Sequence, residues 1–408
     1  MLRFLTAGES HGQALIATLE GMPSGLAIDQ DAITRDLKRR QGGYGRGRRM
    51  AIESDRAEIL SGVRRGRTTG APIACMIANK DWPNWQRTMH VDREAPAEAT
   101  GANRAAVTRP RPGHADLAGA LKYGLQDMRD VLERASARET AARVALAAIA
   151  RQLLAYFEID VLSHVVTIGS VGLPESLAVS AKAIRAIPAE SPLHCVDPSI
   201  EQKMIAAIDA AREAGDTLGG AFEVVVTGLP VGLGSHVQWD RKLDGRLAQA
   251  IMSIPAIKAV GIGKGPAVAQ LPGSRIHDEI VPAGPDDVGG HGTLGVARLT
   301  NNAGGLEGGV TNGEELRVTG FMKPIATLMQ PLRSVDLSTL EPSPATIERS
   351  DVCAVTAAAV VGEAMVALVV ADAFLEKFGG DSLTELEHNY SAYQATVRSR
   401  FEVPSRTS

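Results

Sequence analysis

The sequence predicts one large domain of the α+β class, in which helices and strands contribute to a common core. Short β-prone runs recur along the chain, beginning with residues 2–7 and 14–19. Two longer segments, 140–157 and 354–377, are apolar around most of a helical circumference, which is typical of buried helices. Candidate functional residues are spread over almost the whole chain, so a single fold must gather them.

The other elements follow in order along the chain. An amphipathic helix is predicted over residues 28–41, because Ile33 and Leu37 share one face. Residues 51–79 then alternate as strands do. The remaining predicted strands are 162–172, 221–228, 257–263 and 315–321, and the remaining predicted helices are 199–214 and 241–253. We expect residues 1–408 to form a single domain, with 381–408 as a peripheral tail.

Composition narrows the class of protein. The chain has 408 residues, of which 44% are hydrophobic and 4% aromatic, and its formal charge is -4. This charge argues against a general nucleic-acid or membrane-surface binder, since both polyanions select a basic excess. The three cysteines are widely spaced and form no CxxC pair, as expected in a reducing compartment. The N-terminus does not resemble a signal peptide and no run is expected to span a membrane, so we expect a cytoplasmic protein.

The strongest site signal is the loop from Arg109 to Asp116, which has the sequence Arg-Pro-Arg-Pro-Gly-His-Ala-Asp. Two prolines and a glycine oppose a helix there. Arg111 and His114 are therefore presented from a rigid loop, where binding and catalytic groups are often found.

A second signal lies just before the predicted helix that starts at Thr140. Ser136 and Glu139 have the spacing of a capping box. Arg134 and Arg138 then fall at the helix N-terminus, where the macrodipole disfavours cations. We therefore expect an anion to compensate them, and backbone N–H groups beside guanidinium groups suit a phosphate or carboxylate.

Glycine-rich loops form a third signal. The segment 41–49 combines glycines with several arginines. It could be a nucleic-acid-binding RGG segment, a dinucleotide fingerprint or a loop that holds a small anion. We favour the last, because RGG segments normally repeat in disordered tails and a dinucleotide loop follows a strand rather than a helix. The segment 301–309 is either a wide turn or a backbone cradle for a phosphate or flat ring.

The inventory of side chains predicts proton transfer on a polyanionic small molecule. His11 and His114 are two candidate acid–base groups, and Asp351 is a third. The arginines can hold several negative charges, whereas no metal-ligand set is present in the sequence. These residues do not identify a cofactor.

Four segments, in their order along the chain, resemble the chorismate synthase family. They are Gly8–Gly12, Arg109–Asp116, Arg134–Thr140, and Arg349–Cys353 together with Glu363-Ala-Met365. The resemblance implies a β-α-β sandwich, with antiparallel sheets packed around a core of long helices, and a homotetramer. It also implies an anti-1,4-elimination of phosphate from 5-enolpyruvylshikimate 3-phosphate to give chorismate, the last common step of the shikimate pathway to aromatic amino acids. Members of the family are carbon–oxygen lyases that require reduced FMN, although the reaction involves no net redox change.

The resemblance also implies roles for individual residues. His11 matches the histidine that protonates the departing phosphate. His114 matches the one that protonates the reduced flavin or holds its negative charge. Asp351 matches the aspartate that helps the flavin take the substrate's proton through N5. The expected substrate-binding residues carry hydroxyl or guanidinium groups: Ser10, Arg40, Arg46, Arg49, Arg111, Ser136, Arg138 and Arg349. The expected FMN-binding residues lie in short segments: Arg134, Ala135, Ser136, Pro255, Ala256, Gly308, Lys323, Pro324, Ile325, Ala326, Thr327 and Arg349.

One departure from the motif is Ala135, which keeps a backbone contact but offers no side-chain donor. No segment resembles a flavin reductase, so we expect an external reductase, with NADPH as a candidate for the ultimate reductant. Two other classes remain open on the sequence alone. One is a nucleic-acid-binding protein that uses the glycine–arginine loop, and the other is an electron-transferring flavoprotein with true redox turnover. We expect no nucleic-acid or membrane partner.

Overall fold

The computed structural model describes residues 1–47, 54–174, 177, 179–283, 295–348 and 350–399. The described strands are β1 (Arg3–Ala7), β2 (Ala14–Glu20), β3 (Glu58–Ile59), β4 (Val63–Arg64), β5 (Arg67–Thr68), β6 (Ile73–Ala78), β7 (Asp160–Ile168), β8 (Val171–Gly172), β9 (Gly220–Thr227), β10 (Ile257–Ile262), β11 (Ile280–Pro282), β12 (Val296–Arg298), β13 (Leu306–Glu307), β14 (Val310–Thr311), β15 (Leu316–Met322), β16 (Arg333–Asp336) and β17 (Glu341–Pro344). The described helices are α1 (Gln30–Gln41), α2 (Asp116–Tyr123), α3 (Arg129–Arg134), α4 (Thr140–Tyr156), α5 (Ala181–Arg185), α6 (Pro198–Glu213), α7 (Leu243–Met252), α8 (Gly273–Ile276), α9 (Val355–Phe378) and α10 (Leu383–Ser399).

Two antiparallel sheets form the outer layers. The first has the order β1–β2–β6–β3, and the second has the order β10–β15–β9–β7–β8. Because side chains alternate across a strand, β2 buries Leu15 and Leu19 and turns Ile16 outward. The described residues also form separate two-stranded antiparallel sheets: β4–β5, β11–β12, β13–β14 and β16–β17.

The two long apolar helices form the middle layer. α4 packs on β2 and β6, α9 packs on β7, β9 and β15, and the two helices pack on each other. Twelve of the 17 residues of α4 and 19 of the 24 residues of α9 are buried. A helix buried all round must be apolar all round, which is why the sequence identified both. The predicted α+β class and β-α-β sandwich are therefore confirmed.

α9 corrects one expectation about membrane-spanning runs. By length and composition it could cross a membrane, but 89% of its most apolar stretch is buried inside the protein. Burial among the sheets and helices accounts for its apolar character. Most predicted strands and helices have observed bounds within about two residues of the prediction. Two segments differ: the predicted strand 162–172 is two strands, β7 and β8, and the predicted region 51–79 holds four short strands, β3 to β6, of which the first described begins at Glu58.

Close packing between α9 and the second sheet depends on two glycines around Phe222. A Cβ at Gly362 would lie 2.4 Å from the Phe222 ring, and a Cβ at Gly320 would lie 2.6 Å from it. Phe222 is fully buried. Any residue with a Cβ at position 320 or 362 would therefore collide with the Phe222 ring.

A buried ion network crosses the middle layer. Glu363 of α9 is 1% exposed and accepts hydrogen bonds from Arg39 over 2.6 and 2.7 Å, from Arg151 over 3.1 Å and from Ser163 over 2.7 Å. Burial alone would raise the pKa of Glu363, but Arg39 and Arg151 outweigh it and lower this pKa to about 2. The network ties the end of α1 to α4 and α9, so it fixes the position from which Arg40 extends.

Candidate active site

His11 lies in the loop between β1 and β2 and is held by the last turn of α3. Its Nδ1 lies 2.8 Å from Oε2 of Glu133, and its backbone N–H donates to the same oxygen over 2.9 Å. The imidazole also stacks on Trp85, with ring centroids 3.8 Å apart. Glu133 is 1% exposed and Trp85 is 6% exposed. Two buried side chains therefore fix the orientation of the His11 ring.

Two serine hydroxyl groups lie beside His11. Ser136 donates to the hydroxyl oxygen of Ser10 over 3.2 Å, and the Ser10 N–H donates to the Glu133 carbonyl over 3.0 Å. These contacts join the His11 loop to the segment that precedes α4. Both predicted serines therefore belong to the same cluster as His11.

The predicted capping box is only partly correct. Ser136 accepts a hydrogen bond from the Arg138 N–H over 3.2 Å, but it caps a short 3-10 turn, Ala137–Glu139, and not α4 itself. Glu139 pairs with Arg143 over 2.7 Å, one helical turn further on. The short turn explains why α4 begins only at Thr140.

Two buried arginines of the predicted set meet at Asp55. Arg138 donates to Asp55 over 2.5 Å and to Asn79 over 3.1 Å. Arg40 donates to the Thr140 hydroxyl over 2.8 Å, and its Nη1 lies 4.0 Å from Asp55. We expected a bound anion to compensate Arg138, but a carboxylate of the protein already does so.

Arg134 has a different position from that of the other arginines. Its guanidinium donates to the Gly8 carbonyl over 3.0 Å and to the carbonyl and hydroxyl of Thr6, each over 2.9 Å. These hydrogen bonds hold the end of β1. Arg134 therefore anchors the loop that carries His11.

His114 belongs to a compact cluster in the proline-rich loop. Its Nδ1 lies 2.5 Å from Asp116 Oδ1, and Arg111 donates to both oxygens of Asp116 over 2.8 and 3.0 Å. Arg111 also donates to the Thr327 hydroxyl over 3.0 Å. Burial alone would raise the pKa of Asp116, but hydrogen bonds from His114 and Arg111 hold it well below its usual range. The carboxylate therefore remains charged and fixes both partners.

The segment expected to bind FMN, 323–327, contacts this loop. The Lys323 ammonium donates to the Gly113 carbonyl, and the Lys323 N–H donates to the Ala256 carbonyl over 2.9 Å. Burial lowers the pKa of Lys323, and the nearby positive charge of Lys258 lowers it further. Residues 255–256 and 323–327 thus lie together, beside a pair of cations.

Gly308 lies elsewhere. It is in the turn between β13 and β14, where the Leu243 N–H donates to the Gly309 carbonyl over 2.9 Å at the start of α7. Ala256 follows the other end of α7. A helix of ten residues spans about 15 Å, so about one helix length separates Gly308 from Ala256.

Asp351 is held between two groups of the glycine–arginine loop. Its Oδ2 lies 3.2 Å from Arg46 Nη1, and its Oδ1 accepts a hydrogen bond from the Gly47 N–H over 2.6 Å. Residue 352, which follows Asp351, is linked to the segment 323–327 by two hydrogen bonds. Its carbonyl accepts from the Leu218 N–H over 2.9 Å, and the neighbouring Thr217 hydroxyl donates to the Ile325 carbonyl over 2.8 Å. Arg49 and Arg349 lie outside the described residues.

Comparison with known proteins identifies the family. The family model described as "Chorismate synthase" matches residues 2–375. The chain belongs to the chorismate synthase family. A chorismate synthase of Moorella thermoacetica is 58% identical over 394 residues, covering 97% of this chain and 98% of the relative. The chorismate synthase of Geobacter metallireducens is 56% identical over 399 residues, covering 98% and 100%.

A solved structure supports the same assignment. The chain titled "Crystal Structure of Chorismate Synthase" is 41% identical, with a TM-score of 0.77 and 98% of each chain covered. The predicted family is therefore confirmed. So is the predicted function of a chorismate synthase, a carbon–oxygen lyase of the shikimate pathway.

Several residues of this chorismate synthase site were not predicted. They are buried partners of the predicted groups: Glu133, Trp85, Asp55, Asn79 and Asp116. Asp116 is the last residue of the Arg109–Asp116 loop. Trp85 lies close to Trp82 in the sequence, and two tryptophans so close together could have indicated a packed segment. The partners Asp55 and Asn79 carry no local signal, because they meet Arg138 only after folding.

Proposed function

We propose that the chain eliminates phosphate from 5-enolpyruvylshikimate 3-phosphate with His11, His114 and Asp351 in separate proton-handling roles. One observation carries the assignment of the histidines. Each imidazole meets a buried carboxylate through Nδ1, His11 at Glu133 and His114 at Asp116. For His11 this arrangement leaves Nε2 as the atom that exchanges a proton with a ligand. Both ring nitrogens of His114 also lie near Arg111 Nη2, at 3.0 and 3.3 Å.

The substrate carries a phosphate and two carboxylates, and the arginines suit these groups. Planar guanidinium groups bind oxyanions through two parallel hydrogen bonds. The described members of the expected set are Arg40, Arg46, Arg111 and Arg138, and Arg49 and Arg349 complete it. Substrate binding therefore draws on both the His11 side and the His114 side of the site.

His11 protonates the departing phosphate. The hydroxyl groups of Ser10 and Ser136 lie next to its loop, and hydroxyl groups donate to phosphate oxygens without adding charge. Trp85 covers the imidazole and limits access of water. An acid held in this way keeps its proton directed at the leaving group.

Reduced FMN is the cofactor in this proposal, and when bound it supplies an electron-rich ring whose N5 accepts the substrate's proton. Two nearby cations, Lys323 and Lys258, suit the cofactor's phosphate. The residues that would hold it are 134–136, 255–256, 323–327, Gly308 and Arg349. His114 would protonate the reduced ring or balance its negative charge, and Asp351 would assist the transfer at N5.

The proposed assembly is a homotetramer. On the outer face of the first sheet, Leu5 is 76% exposed and Ile16 is 37% exposed, and apolar patches of this kind favour association. Leu5→Glu should shift the oligomer mass measured by light scattering towards smaller species. A mass equal to that of the parent would exclude this face as an interface.

Residues 1–408 act as one domain in this proposal, and the C-terminal tail, 381–408, is attached to its core through α10. Leu386 and Tyr390 of α10 pack into the same hydrophobic cluster that begins at Leu2. An external reductase supplies reduced flavin in the cytoplasm, with NADPH as the ultimate reductant. Neither nucleic acid nor a membrane takes part.

An anaerobic assay with reduced FMN tests the function. Chorismate and inorganic phosphate should appear in equal amounts, and many turnovers should leave the reduced flavin unconsumed. Omitting flavin should abolish the product. Stoichiometric oxidation of the flavin would instead indicate an electron-transferring flavoprotein.

A further inference from the structure

Glu133 makes an unusually complete set of contacts to the His11 loop. Both of its carboxylate oxygens lie within hydrogen-bond distance of His11 Nδ1, at 2.8 and 3.0 Å, and one of them also accepts from the His11 N–H over 2.9 Å. Its backbone carbonyl accepts from the Ser10 N–H over 3.0 Å. One residue of α3 therefore holds both the backbone and the ring of His11.

Among the described residues, the surroundings of Glu133 offer its carboxylate few partners other than His11. Its side chain is fully buried, and the only cation that pairs with it among the described residues is Arg129, at 3.6 Å. The Arg129 guanidinium also lies 5.3 Å from the centre of the Trp85 ring, and that of Arg104 lies 4.0 Å from it. A buried carboxylate needs partners, and His11 supplies the closest ones.

The hydrogen bonds of His11 all use its backbone N–H and Nδ1 within the described part of the chain. A charged carboxylate only accepts hydrogen bonds, so the Nδ1 that faces it must carry a proton. In the neutral ring, Nε2 is then the unprotonated nitrogen. The contact therefore determines which nitrogen can take up and deliver a proton.

We propose that Glu133 is a positioning residue for the reaction. It acts through His11 by holding the imidazole in the Nδ1–H tautomer, with Nε2 directed at the ligand, while Trp85 holds the plane of the ring. The role assigned to His11 rests on the proposed function. The contact itself is independent of that function, so the two can be tested separately.

Glu133→Gln is the informative substitution. Glutamine has one acceptor oxygen, for which the His11 N–H and Nδ1–H must compete, and its NH₂ group favours an unprotonated Nδ1. We expect kcat to fall at least ~10-fold, and by no more than the ~10²–10⁴-fold that a positioned acid contributes. KM for the substrate should change much less, because the phosphate-binding groups are retained.

A double-mutant cycle separates positioning from general damage. In the His11→Ala background, Glu133→Gln should produce little further loss of kcat, because its effect passes through the missing ring. Equal losses in both backgrounds would overturn the proposal. A parent that makes no chorismate would overturn the proposed function, whereas an active parent matched by an equally active Glu133→Gln would overturn only the role of Glu133.

The chain provides a control in a second histidine–glutamate pair, in which the histidine is buried and the partly exposed glutamate also pairs with Arg317. His164 Nε2 lies 3.0 Å from Glu223 Oε2 in the second sheet, with His164 1% exposed. Glu223→Gln should preserve kcat at temperatures where the protein is folded.

Glu133→Asp keeps the carboxylate and should recover most of the activity. A loss for Glu133→Asp as large as that for Glu133→Gln would contradict the assigned role.

The tautomer of His11 provides a readout that does not depend on turnover. In ¹⁵N NMR of histidine-labelled protein, the signal missing from His11→Ala identifies His11 among the nine histidines. The parent and Glu133→Asp should show a protonated Nδ1, and Glu133→Gln should shift towards a protonated Nε2. A protonated Nε2 in the neutral ring of the parent would overturn the proposal.

Discussion

Arg138 and Asp55 form a buried ion pair of 2.5 Å, although 83 positions separate them in the sequence. Arg138 is 5% exposed and Asp55 is 7% exposed. Its predicted position at a helix N-terminus indicated that Arg138 binds an anionic ligand. The pair shows that Arg138 also belongs to the scaffold of the fold.

Arg138→Ala should therefore destabilise the ligand-free protein. Removing one partner leaves Asp55 buried without its closest cation, and such changes typically cost about 3–5 kcal/mol. Urea unfolding monitored by circular dichroism measures the difference. Arg35→Ala is a suitable control, because Arg35 pairs with Asp29 at the surface and its side chain is 66% exposed, so the loss of stability should be much smaller than for Arg138→Ala. A ligand-free Arg138→Ala as stable as the parent would show that the pair contributes nothing.

Stability should fall in acid because of Glu363. Its folded pKa is about 2, and its unfolded pKa should be near ~4.3. The unfolded state therefore binds the proton first, so the contribution of Glu363 is complete above ~4.3 and disappears as the pH falls towards the folded value. Asp116, whose pKa is also lowered, acts in the same direction.

Glu363→Gln provides the comparison for this pH dependence. The variant lacks the titrating group, so its free energy of unfolding should approach that of the parent as the pH is lowered from 6 to 3. Unfolding in urea at each pH measures the difference. A difference that stays constant over this range would exclude Glu363 as the source.

The two histidines should be separable by kinetics. His11→Ala and His114→Ala should each lower kcat by ~10²–10⁴, the contribution of a positioned acid or base, and change substrate affinity less. His90→Ala is the control, because His90 caps a local turn by accepting the Asp92 N–H over 3.1 Å. Near-normal turnover of both site variants, measured with saturating reduced flavin, would exclude the assigned roles.

The layers of the fold could be predicted because their signals are periodic. α4 and α9 are apolar all round, and strands such as β2 alternate between buried and exposed residues. Short elements such as α3 were missed, because six residues give too little periodicity. Loop segments near the site also lack such periodicity, so the contact of Trp85 with His11 could not be anticipated.

The site was predicted as a set of motifs but not as a set of contacts. Arg39 lies in the last turn of α1, where cations suit the helix dipole, but its guanidinium binds Glu363, 324 positions away. The glutamate partner of His11 is likewise 122 positions away. Partners this far apart are chosen by the packing of layers, which single-sequence patterns do not encode.

Asp351 provides the last prediction, because its contacts allow two different roles. It holds Arg46 at 3.2 Å and accepts the Gly47 N–H over 2.6 Å.

Asp351→Asn keeps an acceptor for Gly47 but removes the charge. If Asp351 assists proton transfer, kcat should fall while FMN binding, measured by fluorescence titration, and KM remain close to those of the parent. If it only positions Arg46, KM should rise at constant kcat, and Arg46→Met should reproduce that pattern. Asp160→Asn removes a carboxylate that pairs with Arg185 at the surface and should change neither parameter. Restored turnover at saturating FMN, after weakened FMN binding, would show that Asp351 supports the cofactor site and does not take part in proton transfer.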